Sequence, residues 1–182
     1  MVLALFLVTL VASSALGFVY AITKSPIEAA KQAKRLRAIT EVLPDFNNNP
    51  YSDVFKIPSD GDTLYFYPGK MNDTLVGTAV ETFTLQGFSG EIKLMVGLLP
   101  DGTINDVTVL EHKETPGLGD KMEKEKSGFS LQFQGRNPDS FRISVRKDGG
   151  DVEAITASTI SSRAFCDAVT RACNAYKKGG EK

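Results

Sequence analysis

An uncharged apolar run over residues 1–23 opens the chain and constrains its fold more than any other feature. The run is mostly Leu, Val, Ala and Phe, and Lys24 ends it. At a rise of about 1.5 Å per residue, a helix of this length covers about 34 Å, more than the hydrocarbon core of a bilayer at about 30 Å. The run therefore predicts a transmembrane helix over residues 1–23, in contact with the lipid bilayer.

A cleaved signal peptide is the alternative interpretation of this run. Ser13-Ser14-Ala15 is a small-residue stretch of the kind that signal peptidases cleave. However, no basic segment precedes the run, and its apolar character continues beyond Ala15. A lipid anchor is disfavoured because no cysteine precedes Cys166. We favour a retained, single-pass membrane anchor.

The charges that follow the anchor bear on its orientation. Five basic residues and one acidic residue leave this flank at a net +4, and the positive-inside rule taken alone would place the following domain in the cytoplasm. We hypothesise that a short basic segment precedes Met1 in the natural chain and reverses this bias, which sequencing the native N-terminus would test. The charged residues are Lys24, Lys31, Lys34, Arg35, Arg37 and Glu28.

A second helix is predicted directly after the anchor. Ser25-Pro26-Ile27-Glu28 has the pattern of a capping box with proline at the first helical position, and good helix formers follow it to about Glu41. Pro44 and the turn residues Asn47-Asn48-Asn49-Pro50 end the helix. We therefore divide the chain into an anchor at 1–23, a juxtamembrane helix at 24–44 and a soluble domain at 45–182.

The soluble domain begins with short strands and ends with a helix. Pro100-Asp101-Gly102 predicts a hairpin turn, and a final helix is expected from about Ser161 to Lys177, with Phe165, Val169, Ala172 and Tyr176 on one face. The predicted fold class is α+β: a transmembrane helix followed by a single soluble domain with a mainly antiparallel sheet and flanking helices. The predicted strands are Thr63 to Tyr67, Leu75 to Leu85, Glu91 to Leu99, Ile104 to His112 and Ser140 to Arg146.

Composition excludes several functions. With 182 residues, of which 42% are hydrophobic, the chain is long enough for one globular core. A balance of 21 basic against 22 acidic residues offers no footprint for nucleic acid. Two cysteines and one histidine are too few for a structural zinc site or for a four-cysteine iron–sulfur site within this chain, so no metal site is predicted.

Five hydroxyl side chains crowd into the seven residues 156–162, at the start of the predicted final helix. Free backbone N–H groups and the helix dipole make such a position a ready phosphate site. Simple N-capping needs only one hydroxyl and is the favoured interpretation on physical grounds alone. Two further stretches are glycine-rich, namely Gly87-Phe88-Ser89-Gly90 before a strand and Glu114-Thr115-Pro116-Gly117-Leu118-Gly119 in a loop. The first is typical of a turn or bulge, whereas the second permits a close backbone approach to a flat ligand but equally suits an ordinary surface loop.

Together these stretches resemble the FMN-binding domain of the G subunit of Rnf-type ion-translocating electron-transport complexes, and its relative, the C subunit of sodium-pumping NADH:quinone reductases. The loop from Glu114 to Gly119 matches the family pattern outright, and the resemblance covers essentially the whole chain. The residues just before the final helix differ in detail from the family pattern. Glu153 stands where the family usually has Asp, and Ala157-Ser158 stands where Gly-Ala is usual, before Thr159. The compact length favours the Rnf type.

The resemblance implies that Thr159 forms a phosphoester with FMN, installed by a separate flavin transferase that uses FAD. It further implies phosphate or ribityl contacts near Thr159 and a loop that walls the isoalloxazine ring, with no catalytic residue beyond the flavin. The cofactor-binding residues expected besides Thr159 are Thr156, Ser158, Ser161, Ser162, Arg163, Glu114, Thr115, Gly117, Leu118 and Gly119.

The function that the resemblance implies is an electron relay. The chain would be a membrane flavoprotein subunit of an Rnf-type ferredoxin:NAD ion-translocating complex in the bacterial inner membrane, with other membrane subunits as partners and an extracytoplasmic soluble domain. Alternatives are a component similar to the C subunit of a sodium-pumping NADH:quinone reductase, and a non-catalytic membrane FMN-binding regulatory module. An anchored hydrolase is disfavoured, because only His112 could act as base and no Gly-x-Ser-x-Gly motif is present.

The two cysteines and the histidine have modest expected roles. Cys166 and Cys173 lie seven residues apart on the predicted final helix, about 10.5 Å along its axis, too far apart for a disulfide. Buried thiols are expected, with a shared inter-subunit iron–sulfur cluster as the remote alternative. His112 is expected at a strand end, and contact with the flavin edge is the less favoured interpretation.

Overall fold

The computed structural model describes residues 1–59 and 62–179, so residues 60, 61 and 180–182 of the predicted domain lie outside the described part. The chain divides into two compact units, residues 1–36 and the part from Arg37 onward. The first unit is one continuous stretch of helix α1 (Val2–Val42), long and apolar enough to cross a bilayer. Its large apolar side chains, Phe6 and Phe18 among them, are exposed, which suits lipid better than water.

The helix break predicted at Ser25 is absent. Pro26 lies inside α1, and the capping-box pattern does not start a new helix. Proline removes one backbone donor, but strong helix formers continue on its C-terminal side and the helix runs through it. The predicted juxtamembrane helix is therefore the continuation of the predicted anchor helix.

The second unit is built on a five-stranded antiparallel meander, in the order β1 to β5. The strands are β1 (Phe55–Ser59), β2 (Asp62–Met71), β3 (Thr74–Gly87), β4 (Gly90–Leu98) and β5 (Ile104–Glu111). Four of the five predicted strands are thus confirmed, as is the hairpin turn, in which Gly102 N–H donates to Leu99 O at 2.8 Å. β1 was missed because it is short and contains Pro58, which argues against a strand in a sequence pattern. The proline is tolerated in the structure because β1 lies at the edge of the sheet.

The strand predicted over Ser140 to Arg146 is wrong. Among the described residues, the segment makes a single isolated parallel bridge, between Val145 and Val152, and then turns at Gly149 with a φ of 81°. Its alternating apolar residues Phe141 and Ile143 pack on the core without pairing with a strand. The alternation therefore reflects burial on one side and not membership of the sheet.

Helices cover both faces of the sheet, in agreement with the predicted fold class. Phe66, Val80 and Leu94 point to the main core, which helix α2 (Thr159–Gly179) completes. The predicted apolar face of α2, Phe165, Val169, Ala172 and Tyr176, is fully buried there.

The opposite face of the sheet carries Tyr67, Ala79 and Met95, and it packs against Ile39 and Val42 from the last turns of α1. Alternate residues along the strands thus serve different faces. At one end of the sheet, the β3–β4 turn and the loop after β5 lie beside the start of α2.

Candidate functional site

A cavity of about 320 Å³ opens where the β3–β4 turn, the loop after β5 and the first turn of α2 meet. These segments contain the three stretches that the sequence analysis singled out. Its volume lies within the range of small-molecule sites, about 300–1,000 Å³. Seven of the expected cofactor-binding residues line it: Glu114, Thr115, Leu118, Gly119, Ser158, Thr159 and Ser161.

Glu114 connects the three walls of this cavity. Its side chain is 5% exposed. Oε1 accepts a hydrogen bond from the backbone N–H of Ser89 at 2.8 Å, in the β3–β4 turn. Oε2 accepts a hydrogen bond from the hydroxyl of Ser161, in the first turn of α2. Because each carboxylate oxygen already has a protein donor, Glu114 acts as a brace between the walls and not as a free ligand.

Two glycines owe their identity to this brace. A Cβ on Gly119 would lie 2.6 Å from Oε2 of Glu114 and 2.7 Å from Oγ of Ser161. A Cβ on Gly87 would lie 2.9 Å from Oε1 of Glu114 and 2.2 Å from the carbonyl oxygen of Gly90. Any larger residue at either position would have to displace the carboxylate or the turn. The close contact between the walls therefore requires glycine at both positions.

The loop after Glu114 is a closed turn. Leu118 N–H donates to the Thr115 carbonyl at 3.1 Å, and Gly117 has a φ of 79°, which L side chains rarely adopt. The Gly117 N–H also donates to the Asp120 carboxylate and lowers the pKa of that group, with Lys126 Nζ 3.1 Å from Oδ2 adding to the effect. The loop thereby holds the side chain of Leu118 half-exposed at the cavity.

The hydroxyl of Ser162 links the first turn of α2 to the residues that precede it. The Ser162 hydroxyl donates to the Ser158 carbonyl and accepts from the Ile155 N–H, both at 2.9 Å. Ser162 is fully buried and does not line the cavity, so its hydroxyl has a structural use. Ser162 therefore fastens the segment before α2 to the first turn of the helix, and it does not cap a free N–H group there.

Thr159 differs from its neighbours. It is the first residue of α2, it is partly exposed, and it lines the cavity. Among the described residues, its hydroxyl has no hydrogen-bond partner. The first N–H groups of an α-helix have no partner within the helix, and the helix dipole favours negative charge there. Thr159 therefore presents a free hydroxyl at a position suited to a phosphate.

The residue before this turn is conformationally costly. Ala157 has a φ of 63°, in the left-handed region that favours glycine. By the resemblance, glycine is usual at this position. The chain accommodates a Cβ in this left-handed conformation.

Four expected residues do not line the cavity: Arg163, Thr156, Gly117 and Ser162. Arg163 is exposed, and its Nε and Nη2 donate to the two carboxylate oxygens of Asp148 at 2.7 and 2.8 Å. This pair lowers the pKa of Asp148 and raises that of Arg163. Thr156 lines a second, more open cavity of about 490 Å³.

Three cavity residues were missing from the expected set: Phe88, Ala157 and Ile160. Phe88 is 69% exposed and Ile160 is 47% exposed, and with Leu118 they form an apolar surface at one cavity. The Gly-Phe-Ser-Gly turn was the available signal for Phe88. Ile160 had none, because its role depends on which side of α2 faces the cavity.

The residues present suit FMN. Phe88, Leu118 and Ile160 give the cavity apolar surface for a flat ring. Thr159 and the free N–H groups of the helix start give it a phosphate end. The chemistry of the lining therefore matches the two halves of a flavin mononucleotide.

Comparison with known proteins agrees with this chemistry. Residues 87–174 match the model of the FMN-binding domain. The matched segment starts at the glycine of the β3–β4 turn and ends within α2, so it contains every residue of the cavity.

Relatives match nearly the whole chain. The G subunit of the ion-translocating oxidoreductase complex of Vibrio cholerae serotype O1 (strain M66-2) is 34% identical over 173 residues, 89% of this chain and 82% of the relative. The protein of the same name from Haemophilus influenzae (strain PittEE) is 35% identical over 160 residues, 84% of this chain and 77% of the relative. That from Erwinia tasmaniensis is 35% identical over 160 residues, 83% of this chain and 76% of the relative. The chain belongs to the family of G subunits of the ion-translocating oxidoreductase complexes.

Proposed function

We propose that this chain carries FMN as a phosphoester on Thr159 and relays electrons as a membrane-anchored subunit of an ion-translocating oxidoreductase complex. The free hydroxyl of Thr159 at the cavity is the observation that carries the proposal. Of the clustered hydroxyls, Ser161 is engaged by Glu114 and Ser162 by backbone groups. Thr156 is exposed as well, but it lines a different cavity, so Thr159 is the cluster member that combines exposure, an unengaged hydroxyl and a place in this cavity.

The attachment would follow the chemistry of a transferase acting on FAD. The Thr159 oxygen would attack the phosphorus of the FMN half, the bond to the AMP half would break, and AMP would leave while the hydroxyl proton passes to a base of the transferase. The product would be chain plus FMN less one water. Partial exposure of Thr159 supports this, since a second enzyme must reach it.

The residues of this chain would hold the cofactor and keep it in one orientation. Bound FMN would supply the redox chemistry, and the protein would supply position and electrostatics. The start of α2 would hold the phosphate, while Leu118, Phe88 and Ile160 would cover apolar surface of the ring. Glu114 would keep the two walls at a fixed separation by its bonds to Ser89 and Ser161.

The test is in-gel flavin fluorescence and intact mass of the full chain, produced together with a flavin transferase. We expect a fluorescent band and the added mass of FMN less one water. Thr159→Ala should abolish both, while Thr159→Ser should retain part of the label because it keeps the hydroxyl.

Thr156→Ala is the matched control, since Thr156 is a nearby exposed threonine that does not line this cavity. It should be labelled like the unsubstituted chain. A labelled Thr159→Ala chain, or an unlabelled native chain in the presence of transferase, would overturn the covalent assignment and favour the non-catalytic FMN-binding module.

The wider setting is part of the same proposal. The relatives are named as subunits of ion-translocating oxidoreductase complexes, which supports other membrane subunits as partners and favours this role over that of the C subunit of a quinone reductase. We place the chain in a ferredoxin:NAD complex of the bacterial inner membrane, with the FMN domain extracytoplasmic. Fusions of alkaline phosphatase and of green fluorescent protein to the C-terminus test the orientation. An active phosphatase fusion is expected, whereas fluorescence of the other fusion without phosphatase activity would place the domain in the cytoplasm.

A further inference from the structure

His112, the single histidine of the chain, follows β5 directly and has both ring nitrogens engaged. Nδ1 accepts the backbone N–H of Glu114 at 3.0 Å, and Nε2 lies 2.9 Å from Oε1 of Glu123. The side chain is 12% exposed and does not line the FMN cavity. The ring is therefore held in place by two partners, one of which is the backbone of the brace residue.

The two partners determine where the ring carries its proton. A backbone N–H can only donate, so Nδ1 must be an acceptor and unprotonated. A carboxylate can only accept, so Nε2 carries the hydrogen and donates it to Glu123. The structure thus selects the neutral Nε2–H tautomer of His112.

Charged groups around the ring support this assignment. Lys126 Nζ lies 2.6 Å from Oε2 of Glu123 and 3.1 Å from Oδ2 of Asp120. Although partial burial opposes it, donation from Lys126 and His112 lowers the pKa of Glu123. Glu123 therefore remains a carboxylate acceptor for the Nε2–H of His112.

The bond from Glu114 N–H to His112 Nδ1 holds the first residue of the cavity loop. From that residue, the Glu114 side chain reaches Ser89 and Ser161 in the two other walls. A shift of the Glu114 backbone would move both carboxylate oxygens away from their donors. The position of the walls thus depends on an acceptor at the Nδ1 position of residue 112.

We propose that His112 is a positioning residue of the FMN site: its unprotonated Nδ1 holds Glu114, and through Glu114 it holds the loop, the β3–β4 turn and the start of α2 together. This inference rests on the proposed function, because it concerns the site where FMN would bind. His112 itself does not touch the cavity and takes no part in redox chemistry.

A matched pair of amides separates the two bonds of the ring. The amide of Asn lies near the position of Nδ1 and can accept from Glu114, whereas the amide of Gln lies near the position of Nε2 and can donate to Glu123. Neither side chain titrates. His112→Asn thus preserves the positioning bond, and His112→Gln preserves the other bond.

The first readout is amide hydrogen exchange of the segment 113–119 in the full chain in detergent, with Thr159→Ala in every sample so that no FMN is attached. His112→Gln should speed exchange of this segment about fivefold, as the loss of one hydrogen bond implies. His112→Asn should stay within about twofold of the reference chain. Exchange in the middle of α2 should be the same in all three, which shows that the domain remains folded.

The second readout is the visible circular dichroism of the FMN-loaded chain, which reports how rigidly the ring is held. His112→Gln should weaken the signal and His112→Asn should preserve it. Equal exchange in the Gln and Asn variants would overturn the positioning role. Faster exchange in the Gln variant with an unchanged flavin signal would also overturn it, since the loop would then not hold the ring. If the chain carries no FMN, the proposed function fails, and the exchange comparison alone still decides whether Nδ1 holds the loop.

Discussion

Ser89 donates its backbone N–H to Oε1 of Glu114 across 2.8 Å, although 25 residues separate the two in sequence. The same carboxylate accepts the Ser161 hydroxyl from a third part of the chain, 47 residues further on. One buried side chain thus joins the three stretches on which the family resemblance rests. Its removal should affect all three walls together.

Glu114→Ala should lower the free energy of unfolding by about 3 kcal/mol, because it leaves the Ser89 N–H and the Ser161 hydroxyl without their acceptor. Glu114→Gln should cost less, about 1 kcal/mol, since the amide oxygen can still accept from one of the two donors. Urea unfolding of the full chain in detergent, followed by circular dichroism, measures both. Glu125→Ala, at an exposed glutamate of the next turn, is the control and should leave stability unchanged. Equal stability of the Glu114→Ala and Glu125→Ala chains would show that the brace contributes nothing.

Gly119→Ala should destabilise the domain by about 2 kcal/mol and reduce flavin attachment, because the new methyl group must displace Glu114 and Ser161. Gly128→Ala is a matched control, since a Cβ there meets only the Cδ1 of Leu131 at 3.7 Å, an ordinary contact. Unfolding curves and in-gel flavin fluorescence of the two variants test this. Similar behaviour of both chains would contradict the tight packing at Gly119.

Ala157→Gly should stabilise the chain by about 1 kcal/mol, because glycine adopts the φ of 63° without the strain of a Cβ. Ala154→Gly, three residues earlier at a position without positive φ, should instead leave stability unchanged or lower it. Thermal unfolding of the two variants and of the unsubstituted chain measures these changes in stability. A destabilised Ala157→Gly chain would mean that the turn is not under strain.

Much of this fold is predictable from local pattern. Four strands were predictable because they are rich in β-branched and aromatic residues and most are bounded by turn residues; in the structure they bury residues such as Phe66 and Tyr67 on opposite faces. The failed strand at 140–146 has a similar composition but no neighbouring strand, and a single sequence does not reveal which strand lies beside which. β1 was missed although it does have a neighbouring strand. Its pairing with β2 stabilises a segment whose own sequence, with Pro58 inside it, predicts a strand only weakly.

The site was predictable in so far as it lies in turns with unusual residues. The resemblance pointed to Glu114, Thr159 and the glycine loop, and these line one cavity except for Pro116 and Gly117 of the loop. The pairing of Arg163 with Asp148 was not foreseen, because it depends on how the Gly149 turn sits beside α2. The use of the Glu114 carboxylate as a brace was likewise not foreseen, as its partners come from distant segments.

Arg163→Ala should leave the amount of covalently attached flavin unchanged, because both carboxylate oxygens of Asp148 already hold the guanidinium away from the cavity. Intact mass and in-gel fluorescence measure the attached flavin. Asp148→Asn is the companion variant and should also be labelled normally. Loss of flavin in Arg163→Ala but not in Asp148→Asn would show that Arg163 leaves its pair to hold the phosphate.

The two cysteines are buried in α2, and burial raises the pKa of each thiol from 9.0 to about 12. At pH 8 the folded chain should therefore react with iodoacetamide far more slowly than the urea-unfolded chain, because almost no thiolate forms and access is blocked. A native chain that alkylates as fast as the unfolded one would contradict this burial.

The same shift predicts how stability depends on pH. A thiol whose pKa is higher in the folded state stabilises the fold fully below the unfolded value of 9.0, and this contribution is lost as the pH rises towards about 12. Between these values each thiol should lower the free energy of unfolding by up to about 1.4 kcal/mol per pH unit.

Tyrosines and lysines also titrate in this range, so the comparison is with the chain carrying Cys166→Ala and Cys173→Ala, whose other groups are the same. That double variant should be less stable at pH 7, because it loses packing, but its stability should fall less steeply above pH 9. Parallel curves for the two chains would show that neither thiol is held in its protonated form by the fold.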